Sequence, residues 1–176
     1  MKIVICGSMT FSKNMIDTEK ELLKFGHAVV IPRYAKEYAE LELVEEVHSE
    51  SVKNKVENDL IRDYFNKIKN SDAILVVNKN KNNIKNYIGG NSFLEMGFAH
   101  ILNKEIFLLG GIPNMIYTDE IEAMQPIVLN EDLEKLSKYK TKTKKKKYTM
   151  KDLWKIRFNS GDKNLSKNID KIVYDL

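Results

Sequence analysis

Short apolar runs alternate along the chain with longer stretches of helical spacing. Met1-Lys-Ile-Val-Ile-Cys6, β-branched and ending in Gly7-Ser8, predicts a strand entering a tight loop. From Ser12 to Phe25, Met15, Ile16, Leu22, Leu23 and Phe25 recur near helical spacing, with Ser12 or Asn14 to cap the start and Gly26 to close the end. His27-Ala-Val-Val-Ile31 before Pro32 reads as a second strand, and the Glu-rich stretch from Tyr34 to Ser51 as an exposed helix or lid. Val52 to Lys69 is amphipathic, with Val56, Leu60, Ile61, Tyr64, Phe65 and Ile68 along one face. Asp72-Ala-Ile-Leu-Val-Val77 is continuously apolar after its first residue, as a strand covered on both faces should be. A polar loop, Asn78-Lys-Asn-Lys-Asn-Asn83, follows with no core content. After Gly89-Gly90-Asn91 a buried helix is expected, then a strand at Ile106–Leu109, a short helix at Ile116–Met124 and a fifth strand at Ile127–Leu129.

This alternation, without a hairpin signal, predicts a three-layer doubly wound α/β fold of about five parallel strands, flavodoxin- or Rossmann-like. In such sheets ligands bind beyond the carboxyl ends of the strands. The loops to inspect are therefore 7–14, 78–92 and 110–117.

Composition sharpens the picture in two places. The 176 residues carry a single cysteine, Cys6, which excludes an intramolecular disulfide framework and gives no Cys-rich metal site. No run approaches the roughly 18 to 20 apolar residues that span a bilayer, and the first residues read as a strand, so a soluble cytoplasmic protein without membrane contact is expected. The net charge of +4 is unevenly placed: residues 135–158 hold ten Lys, Arg157 and only Asp152, a net of +10, while 159–176 balance three Lys against three Asp. Residues 1–134, with 15 Lys+Arg and 21 Asp+Glu, carry −6. The basicity belongs to a C-terminal extension, 135–176, and the α/β body spans 1–134.

The most informative segment is Gly89-Gly90-Asn91-Ser92-Phe93-Leu94-Glu95-Met96-Gly97-Phe98-Ala99-His100. Its glycines let backbone N–H groups approach a ligand, and a helix N-terminus favours an anion. Glu95 is expected in the first turn, facing the same crevice. Ser92-x-x-Glu95 is also the spacing of a capping box, in which both side chains satisfy orphan N–H groups. Spacing alone leaves both readings standing.

Cys6-Gly7-Ser8 after the first strand, Ser71-Asp72-Ala73-Ile74-Leu75-Val76-Val77 in the third, and Gly90-Asn91-Ser92-Phe93-Leu94-Glu95-Met96-Gly97-Phe98-Ala99 together resemble the nucleoside 2-deoxyribosyltransferase superfamily. That superfamily includes 2′-deoxynucleoside 5′-phosphate N-hydrolases and related nucleotide N-glycosidases. The resemblance covers residues 1 to about 130, and Glu-x-Gly-x-Ala is its most specific part. It implies that Glu95 is the nucleophile at the anomeric carbon of a nucleoside or nucleotide, hydrolysis or base transfer resolving the intermediate. It also implies a homodimer or larger homo-oligomer and no cofactor. Transferases of this family often carry an Asp after the third strand, where this chain has Asn78, an amide that can bond a base but cannot act as a carboxylic acid. The hydrolases have an acid on the preceding helix that reaches the sugar; Asp63 is the nearest match and Asp59 the fallback, and both also read as solvated helix acids.

Gly7, Ser8, Met9, Gly89, Gly90, Asn91 and Ser92 complete the expected substrate site, with Ser8, Ser92 and the Gly89-Gly90-Asn91 backbone placed to hold a 5′-phosphate. The same glycines could simply make the turn. Met9, Phe11, Tyr34, Tyr38 and Tyr117 are candidate base-stacking residues. His27, His48 and His100 show no metal-ligand spacing, and no metal is expected. Lys138 to Lys147, with Tyr139 near its start and Tyr148 just after it, reads first as a solvated arm and second as a contact for nucleic acid. An alternative for the whole chain is a catalytically silent nucleotide-binding or sensing module.

Overall fold

The computed structural model describes residues 1–40 and 59–139. The elements are β1 (Lys2–Gly7), a 3-10 turn (Met9–Phe11), α1 (Ser12–Lys24), β2 (Ala28–Val30), α2 (Ala35–Glu40), α3 (Leu60–Lys69), β3 (Ala73–Val77), α4 (Gly90–Ile101), β4 (Glu105–Leu108), α5 (Thr118–Ala123), β5 (Ile127–Val128) and α6 (Glu134–Lys138). The five strands form one sheet in the order β2-β1-β3-β4-β5, with every neighbouring pair parallel. This is the expected doubly wound α/β class.

The period-2 alternation of β1 explains the layering. Ile3 and Ile5 join Met15 and Leu22 of α1 and Leu136 of α6 in one buried cluster, whereas Val4 and Cys6 join Tyr64 and Ile68 of α3, Met96 and Ala99 of α4 and Ile121 of α5 in the other. All five residues of β3 are buried, as its unbroken apolar run requires. α1 ends where Gly26, at φ +77°, lets the chain reverse: Gly26 N–H donates to the Leu23 carbonyl and His27 N–H to that of Leu22, a Schellman closure. The helix starts with Ser12 inside its first turn and Phe11 at the cap, so neither Ser12 nor Asn14 caps it.

Two helices differ from the sequence pattern. α3 begins at Leu60, directly after Asp59 in the left-handed region at φ 44°, and Ile61 is exposed instead of facing the core. Residues 41–58, which hold most of the Glu-rich stretch and the first part of the 52–69 helix, lie outside the described residues, as do residues 140–176. α4 is buried on one face only, through Ser92, Met96 and Ala99, while Leu94 and Ile101 are exposed. Among the described residues no helix is long and apolar enough to cross a membrane.

The strand order decides where a ligand can enter. β2 lies on one side of β1 and β3 on the other, so the connections leave in opposite directions and open a crevice beyond the carboxyl ends of β1 and β3.

Candidate active site

That crevice holds a cleft of about 620 Å³. The β1–α1 loop brings Gly7, Ser8, Met9 and Thr10 to it, the start of α4 brings Gly89, Gly90, Asn91, Ser92 and Glu95, and α3 brings Asp63 and Tyr64. Every expected site residue except Asn78 therefore lines one cavity.

Glu95 sits one turn deeper than the spacing implied. The two glycines let the helix begin at Gly90 with Gly89 as its N-cap, and no side chain caps it; Ser92 becomes the third helical residue and Glu95 the sixth. The Ser92–Glu95 capping box is thus not formed. With the carboxylate released from capping, its surroundings set its chemistry. Glu95 is only partly open to the cleft, and burial pushes its carboxyl up to about 8, opposed by the Cys6 thiol acting as a donor to it. Cys6 is fully buried, and burial, then the Glu95 charge, pushes its thiol well up, so it stays protonated and able to donate. Tyr64 closes the group: its Oη donates to the Ile5 carbonyl at 2.6 Å, one residue past the last β1–β2 register pair, and burial holds its phenol well above the usual range.

The two helix acids separate. Asp63 lines the cleft and is ion-paired with Lys67 one turn on at 2.7 Å. Asp59, at the left-handed residue before α3, pairs with Arg62 at 2.7 Å and lines no part of the cleft. Asp63 is the acid brought to Glu95's cavity.

Asn78 is corrected by the structure. It is fully buried, and its Nδ2 donates to the Gly111 carbonyl at 2.8 Å and the Asn86 carbonyl at 3.3 Å while its Oδ1 accepts from Gly110 N–H at 2.8 Å. Its amide is spent joining β3 to the loop after β4, out of reach of a ligand in the cleft. The polar loop following β3 accordingly has core content. Gly110 is required there: a Cβ would lie 2.5 Å from Asn86 Oδ1 and 2.9 Å from the Asn78 carbonyl oxygen. The 110–117 loop consequently faces a separate shallow groove through Gly110 and Gly111, and Tyr117 stacks on Phe93 with its Oη donating to the Ile88 carbonyl.

Of the candidate stacking residues, Met9, Tyr34 and Tyr38 line the cleft, whereas Phe11 is in the core. Sequence reasoning missed Lys81, Arg33 and Tyr87, which also line it. Lys81 Nζ donates to Thr10 Oγ1 at 2.7 Å and to Ser8 Oγ at 3.4 Å. No motif marked it; the signal was its place in a loop beyond a central strand. Among the described residues no group of three His, Cys, Asp or Glu could hold a metal ion.

No protein-family model and no curated protein matches the chain. Among solved structures, the chain is similar to the CMP N-glycosidase BcmB of Clostridium botulinum, at 15% identity and a TM-score of 0.44, over 79% of this chain and 100% of that one.

Proposed function

We propose that the protein cleaves the N-glycosidic bond of a nucleoside or nucleoside 5′-monophosphate, with Glu95 as the nucleophile. The observation that carries this reading is a carboxylate freed from helix capping and held, with an elevated pKa, in the wall of a cleft at the switch point of the sheet. The Glu95-x-Gly97-x-Ala99 resemblance supports the same assignment.

The chemistry follows from the surroundings. An N-glycosidic bond breaks through an oxocarbenium-like state, which an anion at the anomeric carbon stabilises or captures. Poor solvation of the carboxylate raises its basicity and its gain from meeting that cation. Asp63, on the cleft wall beside Tyr64, is assigned to the sugar hydroxyls, and Met9, Tyr34 and Tyr38 to the faces of the base. The base leaves with the electron pair of the broken bond and takes a proton from solvent, and water then attacks the glycosyl ester, releasing the sugar and restoring the Glu95 carboxylate. Hydrolysis is favoured over transfer because the residue after β3 is an amide sealed in the fold instead of an acid beside the base.

Ionised Glu95 is the reactive form, so activity on a substrate that does not itself titrate should climb from pH 6 to pH 8. Incubation with a panel of nucleosides and 5′-monophosphates, followed by chromatography of released base, tests the assignment; adding a free acceptor base separates transfer from hydrolysis. Release of no base, or equal release by Glu95→Ala, would overturn it.

A further inference from the structure

The loop between β3 and α4 is a built element. Lys81 and Ile84 exchange both backbone hydrogen bonds, at 3.0 and 2.8 Å, around Asn82 and Asn83, whose φ values of 52° and 60° are those of a type I′ turn. Asparagine tolerates that conformation better than most residues. Tyr87 N–H donates to the Lys79 carbonyl at 2.9 Å, and Asn86 N–H to Asn80 Oδ1 at 3.0 Å, closing the loop below the turn. Its backbone is fixed before any ligand arrives.

What this small hairpin presents to the cleft is an ammonium group. Lys81 reaches back to Thr10 Oγ1 and Ser8 Oγ, and its Nζ stands 5.9 Å from the centre of the Tyr87 ring. Tyr87 lies against the start of α4, where a Cβ on Gly89 would be 3.4 Å from its ring. The partners of Lys81 among the described residues are hydroxyls and a ring, not a carboxylate. Two other lysines differ: Lys79, two residues earlier, is ion-paired with Glu131, and Lys67, on the helix that brings Asp63 to the cleft, with Asp63. Lys81 thus presents a cation to an incoming group in the same cleft that the first residues of α4 line. Residues 1–134 carry a net −6, a field that opposes anionic ligands, so local cationic contacts must offset it. Glu95 lies six residues beyond Gly89, about 9 Å along the helix axis. Gly89, Lys81 and Glu95 all line the one cleft.

We infer that Lys81 is the specificity-determining residue that makes the cleft take nucleoside 5′-monophosphates in preference to nucleosides, its ammonium pairing with the phosphate while Ser8 and Thr10 hold it in place. The inference rests on the proposed reaction for the identity of the substrate, and on the turn geometry for the position of the cation.

The test compares a nucleoside with its 5′-monophosphate in two measurements. In turnover, Lys81→Gln should lower the ratio of kcat/KM for monophosphate over nucleoside by about 10- to 100-fold, mainly through KM, while Lys81→Arg retains most of that ratio. In calorimetry on the Glu95→Gln protein, the monophosphate should bind more tightly than the nucleoside, with an advantage that shrinks with added salt and collapses in Glu95→Gln/Lys81→Gln. A Lys81→Gln protein that loses both substrates by the same factor, or neither, overturns the inference. The calorimetric arm needs no turnover. Absence of base release alongside a Lys81-dependent preference therefore removes the proposed reaction and leaves the specificity assignment standing, whereas base release without that preference does the reverse.

Discussion

The two flanks of β3 meet the same loop environment and use it in opposite ways. Towards β4, Asn78, Asn86, Gly110 and Gly111 satisfy one another's donors and acceptors in a tight clasp. Towards β1, Glu95 and Cys6 are shifted by burial, and Lys81 offers an ammonium that meets hydroxyls and a ring, with no carboxylate partner among the described residues. The difference follows from topology: connections diverge between β1 and β3 and leave space, while β3, β4 and β5 follow in order and close it. Satisfied polar groups stabilise and poorly solvated ones are placed to react, so each flank should fail in its own way when mutated.

The largest effect is expected on the β1 flank. Glu95→Gln keeps the side-chain shape and removes the proposed nucleophile, and base release should fall by on the order of 10³-fold or more in steady-state assays. The β4 flank should respond in stability instead. Asn78→Ala strands the Gly110 N–H and the Gly111 carbonyl in the fold, a loss of about 2–3 kcal/mol read from the urea midpoint, with kcat/KM per folded molecule within about threefold of the original.

Stability against pH sharpens the contrast. The Glu95 carboxyl keeps its proton to about pH 8 in the folded protein and loses it near 4.5 when unfolded. The folded chain therefore binds the extra proton between those values, and the associated stability is complete below pH 4.5 and lost as pH rises through 8. Comparing denaturation of the wild type and Glu95→Gln at pH 5 and pH 8 should reveal a decline specific to the wild type of order 2 kcal/mol, reduced by the part of the carboxylate open to the cleft. Next in size, Asp63→Asn should lower kcat/KM by about tenfold with little change in melting temperature. Smallest, Asp59→Ala removes an exposed pair with Arg62 and should alter stability by less than about 0.5 kcal/mol and activity by less than twofold.

Much of this contrast was legible in the chain. Alternating apolar runs predict the strands that form, because a parallel sheet buried on both faces admits little else at β1, β3 and β4. A motif and a helix position singled out Glu95 and Asp63, and both line the cleft. The role of Asn78 was not, since a buried amide network joins residues 33 positions apart and leaves no local pattern. The capping box misled for a related reason: Gly89 and Gly90 permit an earlier helix start, and Ser92-x-x-Glu95 has the same spacing in either register. Lys81 was hidden because a type I′ Asn82-Asn83 turn between Lys81 and Ile84 looks like any lysine-containing loop until its direction is known.

The central claim is that Glu95 bonds to the anomeric carbon. A nucleoside 5′-monophosphate bearing fluorine at C2′ disfavours the oxocarbenium-like state and slows release of a glycosyl ester, so the intermediate should accumulate. Peptide mapping by mass spectrometry after a rapid acid quench is predicted to place the fluorinated sugar phosphate on Glu95 and nowhere in Glu95→Gln. Adduct on another residue, or base release persisting in Glu95→Gln at the wild-type rate, would contradict it.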